Sequence, residues 1–198
     1  MKHLPMTDEK LEPVQSLRLI EQMIEQAKGR FSENGHLYLL WGWVIFGCSL
    51  FHFIAIEWQL LPHPEMVWMA TWLAFIYQAI YLYRHRHTRR VRTYADTLIG
   101  AVWLVFVGCG FITGFVVSSK GGWETVYPLI LMLYGMPTIL SGVILRFRPL
   151  IIGGLICWIL CLTAVYLPLK YNLVLVSLAV VAAWIIPGYM MQVRFKKE

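Results

Sequence analysis

Six apolar runs, each long enough to cross a bilayer and each free of Asp, Glu, Lys and Arg, leave this chain few folds to choose from. They cover residues 37–56, 66–83, 98–118, 126–145, 150–168 and 172–191. A bilayer core about 30 Å thick takes roughly 20 residues of helix, so each run suffices for one crossing. Lipid offers the backbone no partners, which leaves helices or a closed barrel. Barrel strands would show alternation over about 10 residues, and these runs do not alternate. Composition agrees: 59% of residues are hydrophobic and 14% charged, where a soluble domain carries about 25% charged. The expected fold is all-α, a bundle of six transmembrane helices preceded by a cytoplasmic amphipathic helix. The expected division is a cytoplasmic segment 1–36, a membrane domain 37–191 and a basic cytoplasmic tail 192–198.

Lys and Arg set the expected orientation, because basic loops stay on the cytoplasmic side. Between the second and third runs lie Arg84, Arg86, Arg89, Arg90 and Arg92. Arg146 and Arg148 follow the fourth run, and Arg194, Lys196 and Lys197 follow the sixth. The opposite loops carry none, Lys120 alone and Lys170 alone. Both termini are therefore expected in the cytoplasm of a multi-pass cell-membrane protein. Trp58, Trp68 and Trp123 fall at the outer ends of runs, where an aromatic belt is expected. The net charge of +6 reads as orientation and contact with anionic headgroups. No reader motif accompanies the arginines to suggest nucleic acid. The first run begins only near Leu37 after an acidic, polar lead, unlike a cleavable signal peptide.

Ahead of the first run, Leu17, Ile20, Ile24, Ala27 and Phe31 recur at spacings of 3 and 4, one apolar stripe on a helix. Glu12-Pro13 would open that helix. Gly29 and the stretch Ser32-Glu33-Asn34-Gly35 would end it and hinge it into the first span. The stripe needs an apolar partner: the bilayer surface, the cytoplasmic ends of the bundle near the arginine loop, or another chain. Residues 13–31 are the expected contact with a protein partner.

The odd-numbered spans share a pattern, with Cys48, Cys109 and Cys161 at similar depth. The even-numbered spans close on similar basic stops, Arg84-His85-Arg86, Arg146-Phe147-Arg148 and Arg194-Phe195-Lys196. Three hairpins related as parallel repeats would produce this. So would chance similarity among packed spans.

Ion pumps, coupled carriers and membrane hydrolases place ionisable groups in the membrane, and these spans hold no carboxylate, amine or guanidinium. His52 is the one histidine well inside a span. It reads either as a ligand or proton-sensitive group, or as a polar residue bonding a neighbouring helix, the commoner role. His36 lies 16 residues earlier, about 24 Å along the axis, so the two cannot share a metal. Cys48, Cys109, Cys157 and Cys161 would be the remaining ligands of a soft metal site, yet no C-x-x-C spacing accompanies them. No cofactor is implied. Gly110 and Gly114 form a GxxxG pattern, read as bundle packing. Pro137 and Pro187 would kink the fourth and sixth spans. Gln78, Thr138 and Ser141 would line a resulting cavity, or simply bond between helices.

The stretch Glu33-Asn34-Gly35-His36-Leu37-Tyr38-Leu39-Leu40-Trp41-Gly42-Trp43 resembles the start of small six-span bacterial inner-membrane proteins that carry no functional name. That resemblance implies a membrane protein and no chemistry. The expectation is therefore a non-enzymatic anchor, sensor or regulatory partner protein. The alternatives are a small permease for a neutral or weakly polar solute and, third, a membrane metal or redox protein.

Overall fold

A computed structural model describes the backbone of residues 13–85, 94–120, 122 and 125–196, and the side chains of 35–84, 95–120, 122 and 125–193. Among these residues every element is helical. In order they are α1 (Pro13–Glu57), a 3-10 helix (Pro64–Met69), α2 (Ala70–His85), α3 (Tyr94–Lys120), α4 (Val126–Ile144), α5 (Arg148–Ala164), α6 (Leu169–Val180), a π-helical turn (Val181–Ile185) and α7 (Ile186–Lys196). Five helical stretches are long and apolar enough to cross a bilayer: Gly35–Glu57, Pro64–Arg84, Ala95–Lys120, Val126–Ile144 and Leu169–Val193. Arg148–Ala164 is apolar but shorter. The chain fits a multi-pass membrane protein.

The first correction concerns α1. No hinge separates an amphipathic helix from the first span, since the helix is unbroken through Gly29 and Ser32–Gly35. One glycine costs a helix only about 1 kcal/mol, too little to stop it without a proline or a left-handed residue. Gly35 has a different use. A Cβ there would stand 3.2 Å from the Gly188 carbonyl oxygen and from the Met191 Cβ, so its bareness lets α1 and α7 approach closely.

The second correction concerns the ends of the spans. The second apolar run enters as a 3-10 helix opened by Pro64. The fifth run stops being helical at Ala164 rather than 168. Pro168 contributes, because it has no N–H for the Ala164 carbonyl, and the last turn tightens instead, with Tyr166 N–H donating to Thr163 and Leu167 N–H to Ala164. The α4–α5 turn is a Schellman cap: Phe147 N–H donates to the Gly142 carbonyl at 2.8 Å and Arg146 N–H to Val143 at 3.1 Å. Arg146 takes the left-handed position at φ 52°, whereas Arg84 and Arg194 are helical. The three basic stops thus differ in backbone geometry.

The core lies among α1, α4, α5, α6 and the π turn. Leu131, Leu150, Cys157, Leu173, Val176, Val180 and Ala183 are fully buried there. Backbones meet closely at three crossings. Gly135 and Gly154 face each other between α4 and α5. Gly153 abuts Ala182 and Ala183 of the π turn. Gly42 abuts Ile185. By contrast α2 packs mainly on α1, and α3 on α4. The third correction follows: Gly110 and Gly114 have nothing within 4 Å of where a Cβ would sit, so the GxxxG pattern packs against no described residue.

Candidate functional site

The interior of the bundle holds an aromatic layer with a polar group at each end. The layer is built from Trp103 and Phe106 of α3, Tyr134 of α4 and Trp184 of the π turn. Tyr134 and Trp184 lie 4.6 Å apart between ring centroids, Trp103 and Trp184 6.0 Å, and Phe106 and Tyr134 5.9 Å. A buried indole N–H needs an acceptor, and Trp184 Nε1 finds one in Thr138 Oγ1 at 3.0 Å. Thr138 Oγ1 in turn donates to the Tyr134 carbonyl at 2.7 Å. Pro187 cannot donate to the carbonyl four residues back, and the widened π turn just before it absorbs that defect. The same turn carries Trp184 into the interior.

On the side of the layer nearer the chain termini, the buried Tyr38 hydroxyl faces Ser141 and Trp103. Neither the Tyr38 nor the Ser141 hydroxyl makes a direct hydrogen bond among the described residues. Tyr38 also packs edge-on against Trp103, centroids 5.7 Å apart.

The other end is organised by His52, 14 residues further along α1, about 21 Å along the axis. It is buried at 6% exposure. Trp68 Nε1 of the 3-10 helix approaches His52 Nδ1 at 3.0 Å, and the Tyr127 hydroxyl of α4 lies 3.3 Å from the same nitrogen. An indole N–H can only donate. Nδ1 is therefore a bare acceptor, Tyr127 also donates to it, and the ring proton sits on Nε2. One turn back along α1, Cys48 Sγ donates to the Val67 carbonyl at 3.5 Å. Ser49 donates to the Leu173 carbonyl at 2.6 Å, tying α1 to α6. At the rim, Lys170 pairs with Glu57 at 3.1 Å and His63 with Glu65 at 3.0 Å.

No family model, curated protein or solved structure matches the chain. Its chemistry is read from these residues alone.

The residues singled out in the sequence are distributed as follows. Thr138, Ser141, Pro137 and Pro187 are all buried. Gln78 is on α2, where its Oε1 accepts from Trp41 Nε1 of α1. Thr138 bonds Trp184, so both it and Gln78 serve as links between helices. Cys157 is buried with its thiol toward the Ala179 carbonyl at 3.9 Å, while Cys109 and Cys161 are half-buried. All four cysteines are free. Among the described residues no three His, Cys, Asp or Glu side chains gather as metal ligands. Arg84 is exposed, while Arg86, Arg89, Arg90 and Arg92 lie outside the described residues, as do the side chains of 13–31.

Tyr38, Trp103, Tyr127, Tyr134 and Trp184 complete the interior and were not singled out; Trp68, expected in an outer aromatic belt, turns inward to His52. One signal for them was present: Trp103 and Trp184 fall well inside apolar runs, away from an interfacial belt, where an indole N–H requires a partner from another helix. Apart from His52, the interior polar groups are hydroxyls, indoles, thiols and amides. These exchange hydrogen bonds without carrying charge near neutrality.

Proposed function

We propose that the chain is a six-span membrane protein with both termini in the cytoplasm, acting as a non-enzymatic anchor or sensor through an α1 arm that engages a protein partner. The observation that carries this reading is the unbroken helix Pro13–Glu57. At 1.5 Å per residue its 45 residues extend for about 67 Å, more than twice the roughly 30 Å bilayer core. The apolar span takes up Gly35–Glu57, and the remaining 22 residues from Pro13 continue for about 33 Å as the same rod. A helix collinear with its span does not lie flat in the headgroups, which disfavours the bilayer surface as the partner of the Leu17–Phe31 stripe. α7 accompanies α1 antiparallel, with Gly188 opposite Gly35. Equal rise per residue brings its end at Lys196 level with about residue 27. The stripe from Leu17 to Ile24 therefore reaches past α7 toward another chain. The basic residues that flank this end of the bundle favour the cytoplasm and anionic headgroups for it. α5, short at 17 residues, makes up the fifth span together with the turn at 165–167.

Cross-linking in native membranes tests the reading. The wild type should cross-link a protein to residues 13–34. The double variant Ile20→Asp/Ile24→Asp should insert normally and lose that adduct. A variant that inserts and keeps every adduct overturns the proposal.

A further inference from the structure

The geometry points to His52 as a proton-operated latch that ties the connection between α1 and α2 to the bundle. Three elements converge on one nitrogen: α1 carries His52, the 3-10 helix brings Trp68 and α4 brings Tyr127. Both partners donate to Nδ1, so the latch is closed only while that nitrogen is bare. A proton on Nδ1 turns the acceptor into a donor. The Tyr127 hydroxyl rotates and accepts from it, because a phenol does either. The Trp68 indole has no lone pair to offer, so it gives up Nδ1 and is left only the Tyr127 oxygen, for which the protonated ring now competes.

Trp68 is the main anchor of the 3-10 helix, half-buried against the core with its ring beside His52 and Tyr127. None of its residues is buried, and its other polar tie to α1 is the weak Cys48 thiol bond to the Val67 carbonyl at 3.5 Å. In α2, which follows, Ala74 is the one buried residue among those described. Losing the indole bond therefore frees the Pro64–Met69 segment, while the α4–α5–α6 core is left intact.

The charges around His52 allow such a response. Glu65, on the same 3-10 helix, is the carboxylate that acts on His52 electrostatically. Glu65 is paired with His63, and both side chains are largely exposed, which places the proton source at the surface. On α1, Glu57 is held by Lys170 from α6, and Cys48 is one turn away. Tyr127 is the titratable group that α4 presents. The α6 residue bonded near this level, Leu173, offers only its carbonyl to Ser49.

Hydrogen exchange of the full-length protein in lipid nanodiscs, between about pH 8 and about pH 5.5 and corrected for intrinsic rates, reads the latch. Peptides covering residues 61–69 should lose at least about tenfold protection at the acid end in the wild type. His52→Asn places an amide oxygen near the Nδ1 position and does not titrate, so its protection should stay flat. Trp68→Phe should be open throughout. Glu65→Gln and His63→Gln keep His52 and should keep a transition. A flat wild type overturns the proposal, and so does a His52→Asn profile that matches the wild type or a transition abolished by His63→Gln. Should His52→Asn fail to fold, nitrogen-15 spectra of wild-type His52 decide. A bare Nδ1 that protonates together with the opening supports the latch, and a protonated Nδ1 at pH 8 overturns it. The experiment uses the protein alone, so its outcome is separate from whether the α1 arm has a partner.

Discussion

α4 and α5 meet backbone to backbone through Gly135 and Gly154, whereas α3, equally apolar and richer in glycine, presents Gly100, Gly108, Gly110 and Gly114 to open space. The difference appears in burial: ten residues of α4 are buried inside the bundle, whereas Val117 is the one buried residue of α3 among those described. Lipid is as apolar as a leucine side chain, so hydrophobicity drives a helix into the membrane without choosing its neighbour. Packing and interhelical hydrogen bonds make that choice. α4 carries Thr138 in a bond to Trp184, and its glycines stand opposite Ile151 and Trp158 of α5. On α3, Trp103 and Phe106 supply the inward anchors, while Leu104, Phe111, Ile112 and Phe115 remain exposed.

Three substitutions would break or sharpen this contrast. The largest effect is expected for Trp184→Ala, which removes a fully enclosed indole touching Trp103 and Tyr134 and leaves Thr138 without its donor. A loss of about 4 kcal/mol should appear as a lower unfolding midpoint in detergent titrations. Next comes Gly153→Val. Even a Cβ would lie 2.6 Å from the Ala182 carbonyl oxygen and the Ala183 Cα, backbone atoms that cannot step aside. Overpacking of this kind should cost about 2–3 kcal/mol by the same assay. The smallest effect is expected for Gly114→Ala on α3, where the added methyl meets nothing within 4 Å. Helix propensity alone then predicts a gain of about 0.5–1 kcal/mol. A clear loss instead, together with a change in oligomer size, would mean that the open glycine face of α3 is covered by another chain.

Legibility in the sequence differed sharply between the two kinds of feature. Pro64 and Pro168 mark helix ends by local chemistry, though the fifth apolar run hid the second of them because hydropathy does not register backbone geometry. Gly29 and Gly35 misled in the opposite direction. A glycine that ends a helix and one that admits a neighbour look alike until the neighbour is known, and Gly188 and Met191 of α7 supply that neighbour from more than 150 residues away. Thr138 was visible as a polar residue in an apolar run, yet its partner Trp184 was not. The pairing depends on a π turn created around Pro187. His52 stood out as a lone intramembrane histidine. That Trp68 and Tyr127 both donate to its Nδ1 is a fact of three converging elements, and no spacing along the chain announces it.

The sequence by itself determined that this chain is built of apolar helices, roughly where they begin and end, and that its interior would be almost free of charge. Those properties follow from transfer between water and lipid and from backbone hydrogen bonding, which act on each segment separately. Only the tertiary structure decided that α1 is one continuous rod, which glycines serve as contacts, that an aromatic layer divides the interior, and that His52 joins three elements. These depend on distances between segments remote in sequence, and lipid supplies no hydrophobic bias toward one pairing over another.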